Sequence, residues 1–122
     1  MTRIAAVLPA SLALVVALAA ASCATAPETA APEGGRMRVE GTITSIDTQP
    51  WAYDGNAIVE LDVAGRGAVR VELPARWNLC KAEPVDVQAL AVGMRVQAVG
   101  ESTGEGGVVV CQDAADRLAP LQ

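Results

Sequence analysis

Three cysteines and three aromatic side chains are where this chain could do chemistry: Cys23, Cys80 and Cys111, and Trp51, Tyr53 and Trp77. A thiol reacts as its thiolate, and a C-x-x-C pair or a neighbouring histidine is the usual way to stabilise one. Neither is present, because the cysteines lie far apart and the sequence has no histidine. Cys80 and Cys111 therefore read as a structural disulfide rather than a redox pair. In the chain-entropy description, closing a loop of that length stabilises the fold by about 3–4 kcal/mol. A small domain with no phenylalanine for its core depends on such a contribution. The missing histidine also removes most nucleophilic triads, most zinc sites and the commonest general base.

The aromatic residues are the candidate ligand contacts. Trp51, Tyr53 and Asp54 fall in "TQPWAYDGN", and Trp77 falls in "PARWNLCKAEP". Two roles are open to them: stacking on a sugar or base, or plugging the ends of a core that lacks phenylalanine. Trp51 follows Pro50 directly and is placed to fold inward, whereas Tyr53 and Asp54 sit at the turn itself, so Tyr53 is expected to be the more exposed. The spacing of Asp47, Asp54, Asn56 and Asp62 fits no calcium loop, and "YDGN" is explained as an aspartate-glycine turn. Glu101 and Glu105 flank a glycine-rich tip and read as solvated. No serine has a histidine or lysine placed to activate it. The chain is accordingly expected to carry no catalytic residue, no metal and no cofactor.

These residues are carried by a chain of 122 residues, enough for one domain after its ends are set aside. The opening "MTRIAAVLPASLALVVALAAAS" has one charge, Arg3, an apolar middle and small residues at its end. That is the layout of a secretory signal peptide, residues 1–22. A retained anchor is the alternative, since the run is nearly long enough to span a bilayer. Its alanine content, Pro9 and the absence of a basic flank argue for cleavage. "LAAASC", Leu18 to Cys23, resembles the lipobox of bacterial lipoproteins. It departs from the commonest form in having Ala20, not Leu, three positions before the cysteine, and Ala19-Ala20-Ala21 is itself an A-x-A cleavage site. The resemblance implies that Cys23 is diacylated and becomes the mature N-terminus. It also implies the outer membrane, because Ala24 rather than aspartate follows that cysteine. Lipidating Cys23 removes the odd cysteine of an exported chain and leaves a pair.

Losing Arg3 takes the net charge from −5 to −6, and nothing basic clusters along the sequence, so nucleic acid is excluded as a partner. Residues 23–36, the acylated cysteine and "ATAPETAAPEGGR", have no apolar periodicity and read as a tether. A flexible chain of that length spans on the order of 20 Å. It would hold the remaining domain, residues 37–122, just clear of a membrane surface.

That domain is β-rich. Met37, Val39, Gly41 and Ile43 alternate with polar residues, and the phase then slips to Ile46, which predicts a bulge or bend in the first strand. Ala57, Val59, Leu61 and Val63, a turn at Ala64–Gly67, then Val69, Val71 and Leu73 predict a hairpin. "VDVQAL" predicts one short helix of one or two turns at most, with Asp86 as its N-cap. Val92, Met94, Val96 and Ala98 predict a fourth strand, "ESTGEGG" a hairpin loop, and "VVVC" the last strand. Five short strands, a bent first strand and a helix between the third and fourth resemble the oligonucleotide/oligosaccharide-binding (OB) barrel, with an SH3-like barrel as the rival. The expected fold class is all-β, a five-stranded OB-like barrel, and the resemblance places the Trp51–Tyr53 loop beside the usual binding face. The expected function is a binding or interaction module, lipid-anchored at the periplasmic face of the outer membrane, whose partner is an envelope protein or an oligosaccharide. A carboxylate-based envelope enzyme or a purely structural lipoprotein are the alternatives.

Overall fold

The computed structural model describes residues 32–121; the predicted leader, Cys23 and most of the tether fall outside that range. The described chain forms strands β1 (Arg36–Asp47), β2 (Ala57–Val63), β3 (Gly67–Leu73), β4 (Arg95–Ser102), β5 (Val108–Val109) and β6 (Arg117–Pro120). β1 pairs antiparallel with β2, β2 with β3, and β4 with β5, while β3 and β5 run parallel. The N-terminal part of β1 also pairs with β4, which closes the sheet into a five-stranded barrel consistent with an OB-like fold. Closure leaves the barrel strands without a long open edge.

β1 serves two sides of the barrel because it bends. The register slips between Ile43 and Ser45, so Thr44 is the extra residue of a bulge, at the place where the apolar phase shifts in the sequence. Close strand crossing depends on two inward glycines. A Cβ at Gly41 would lie 2.6 Å from the Asp62 carbonyl oxygen, and one at Gly100 would fall on the Val109 carbonyl. The core comes from the predicted alternating positions, Met37, Val39, Ile43, Val59, Leu61, Val69, Val71 and Leu73 among them. The hairpin turn is as read, with Gly65 and Gly67 at φ of +79° and +78°.

Three details differ from the sequence reading. First, "VDVQAL" forms only a 3-10 turn, Val87–Ala89, and Asp86 occupies the N-cap position without a side-chain cap. So short a stretch between Pro84 and Gly93, with two β-branched valines, cannot nucleate an α-helix. Second, Val92 is exposed and precedes the fourth strand: Ala91–Met94 is a tight turn, with Gly93 at φ +91°. Third, "VVVC" supplies just two residues of strand. The chain then detours through Cys111–Asp116 and rejoins β4 as β6, a strand the sequence reading does not contain.

Candidate functional site

Nine residues link β1 to β2, and each end of that loop is pinned. The Asp47 carboxylate accepts the Gln49 amide at 3.0 Å and so steers the chain into a 3-10 turn, Gln49–Tyr53, with Pro50 in its first positions. The turn ends at Asp54, which adopts φ +59°, the left-handed conformation that aspartate tolerates before a glycine. Gly55 then donates to the Pro50 carbonyl at 2.8 Å. The Trp51 indole folds back onto the core, where its Nε1–H donates to the Leu73 carbonyl at 2.8 Å.

A second loop meets the first. Trp77–Leu79 is a 3-10 turn just after β3, and Trp77 is half-buried against the core. Arg76 reaches across to pair with Asp54 at 2.9 Å. Both partners of that pair are mostly exposed, so it orients the loops more than it stabilises them. The pair gathers Trp51, Tyr53, Asp54 and Trp77 at one end of the barrel. Their environments diverge there: the indoles are folded against the core, while Tyr53 is 85% exposed and Leu79, three residues after Arg76, is 67% exposed. Arg76 and Leu79 are absent from the sequence reading. An apolar residue in a proline-flanked irregular stretch is a usable signal for Leu79. Nothing local points to the Arg76–Asp54 pair, which spans 22 residues.

Cys80 and Cys111 form the disulfide, with Cα atoms 4.6 Å apart. It joins the β3–β4 connection to the detour between β5 and β6. The Cys111 carbonyl accepts the Lys81 and Ala82 amides, and the buried Asp116 carboxylate accepts the Cys111 and Asp113 amides at 3.1 and 3.2 Å. The other oxygen of Asp116 pairs with Arg36 at the start of β1. One carboxylate thus organises the detour and ties it to the point where the chain enters the barrel.

Two concave regions lie elsewhere on the surface. A cleft of about 360 Å³ on the β2–β3 face is lined by Glu60, Arg70, Glu72, Thr103 and Glu105. Two of its three carboxylates are already engaged, Glu60 by the Ser45 hydroxyl at 3.3 Å and Glu72 by the Asn56 amide at 3.4 Å. A groove of about 530 Å³ runs between β6 and the segment from Glu83 to Ala89. Among the described residues, no three His, Cys, Asp or Glu side chains are grouped so as to hold a metal ion. No family model, curated protein or solved structure matches this chain.

Proposed function

We propose that the chain is a lipid-anchored binding or interaction module of the cell envelope, held at the periplasmic face of the outer membrane through Cys23, with an envelope protein or an oligosaccharide as its partner. The observation that carries this reading is the exposure of Tyr53 at the tip of a turn fixed by the Trp51 indole, the Gly55–Pro50 bond and the Asp54–Arg76 pair. Fixing the backbone that carries a large amphipathic ring before the partner arrives reduces the entropy lost on binding. Tyrosine is also a favoured anchor in interfaces, since it combines an apolar face with a hydroxyl. Leu79 extends the apolar part of the same end.

The test for the site is a photo-crosslinking amino acid placed at position 53 in growing cells, with position 66 on the β2–β3 turn as the control. A discrete adduct at 53 that is missing at 66 is the expected result, and equal yields at the two positions would refute the assignment. The anchor has its own test. Cys23→Ser should block processing and membrane retention, because only the thiol can take the diacylglycerol. Intact mass of the wild-type membrane fraction should show an acylated chain beginning at Cys23. A soluble mature protein beginning at Ser22 would refute it.

A further inference from the structure

The charge of the domain is unevenly placed. The described residues hold eight lysines and arginines against thirteen acids, and four of the eight, Arg36, Arg38, Arg95 and Arg117, belong to the outer face of the β1–β4–β6 sheet. Register sets the pattern. Arg38 and Arg117 flank Val99 on either side, and the next rows hold Glu40, Gln97 and Ala119, then Thr42 and Arg95. Neighbouring strands are about 4.8 Å apart and residues rise about 3.3 Å along each, so the four arginines spread over a patch on the order of 20 Å long on one face. Arg38 and Arg95 are exposed and make no ion pair among the described residues. Arg117 donates to the neutral Gln97 side chain and keeps its charge unneutralised by that contact. Arg36 is paired with Asp116, and Glu40 and Glu101 are the acids on this face. The rest of the domain, including the Glu60–Glu72–Glu105 cleft on the β2–β3 side of the closed barrel, carries the acidic excess.

The chain also enters the barrel at this face. The turn closed by the Gly35 amide on the Pro32 carbonyl leads into Arg36, and Gly34 and Gly35 are hydrogen-bonded to Ser102 at the end of β4. A domain anchored at Cys23 is therefore tethered from the edge of its basic face.

We infer that the outer face of β1–β4–β6 docks against the anionic phospholipid headgroups of the membrane that holds the anchor, leaving the β2–β3 face pointing away. This rests on the reading of Cys23 as the anchor point. The lipid supplies the affinity, and charge asymmetry selects the orientation. Each unpaired guanidinium close to an anionic surface favours it by a factor of about five, while the acidic remainder of the domain is repelled. The interruption of the fifth strand contributes directly, because β6 is what places Arg117 on this face.

The test uses the unacylated mature chain, residues 23–122, coupled through the Cys23 thiol to a maleimide lipid in vesicles. One set of vesicles contains phosphatidylglycerol and the other is pure phosphatidylcholine. Arginine modification by phenylglyoxal is followed by mass spectrometry. Arg38 and Arg95 should react about fivefold more slowly on the anionic vesicles than on the neutral ones, with Arg66 and Arg70 unchanged. The contrast should vanish at 1 M salt, where the screening length is about 3 Å. Slowing of all four arginines alike, slowing of Arg66 and Arg70 instead, or no difference between the vesicles would each overturn the inference. The anchor in this experiment is chemical, so a failure of natural acylation in the Cys23→Ser test leaves the orientation test standing.

Discussion

Truncating Trp51 should cost this domain far more than truncating Tyr53, two residues away. Trp51→Ala removes an indole packed on the core and deletes the donor to the Leu73 carbonyl. Large aromatic-to-alanine changes in a core cost about 3–5 kcal/mol, and a half-buried ring belongs at the lower end. Losing the hydrogen bond contributes about 1 kcal/mol of that, which Trp51→Phe should isolate because it keeps most of the apolar contact. Tyr53→Ala removes a ring that is 85% exposed and should stay within about 0.5 kcal/mol of the wild type. Urea unfolding of the three variants measures this, with unchanged slopes required for the midpoints to be compared. In a domain of this size, about 3 kcal/mol corresponds to a fall in Tm on the order of 12–24 °C. A Tyr53→Ala loss as large as that of Trp51→Ala would mean that the whole loop is core, and would remove the proposed contact surface.

Two further outcomes follow from the packing. Replacing Cys80 and Cys111 together by alanine should cost about 3–4 kcal/mol, read as a shift in the urea midpoint; mass mapping without reduction should recover the two peptides joined, and free thiols in protein purified without reductant would contradict the pairing. Gly100→Ala should destabilise by about 2 kcal/mol or more, since its Cβ would fall on a backbone carbonyl that only movement of β5 could relieve. A neutral Gly100→Ala would mean that the β4–β5 crossing is looser than described. Gly106, where an added Cβ meets nothing within 4 Å, is the internal comparison, although its φ of +83° carries its own penalty.

Side-chain alternation is a local property of a strand, and the chain's own residues state it openly. Met37 to Ile43, Ala57 to Val63 and Val69 to Leu73 show which face of each strand is buried, and the slip to Ile46 marks the bulge. The Cys80–Cys111 bond is legible because neither cysteine lies in a C-x-x-C or beside a histidine, a pattern that reads as structural. Period-2 patterning is silent about which strand lies beside which, since any inward face satisfies any barrel. The β1–β4 pairing that closes the sheet, and the parallel contact of β3 with a two-residue β5, exist only in the folded chain. β6 is silent in the sequence for the same reason: "RLAP" is too short to show alternation, and β4 alone makes it a strand. The fates of Trp51 and Tyr53 were likewise settled by tertiary contacts. Both are aromatic residues of one turn, and what separates them is a carbonyl on β3 within reach of one ring and solvent around the other.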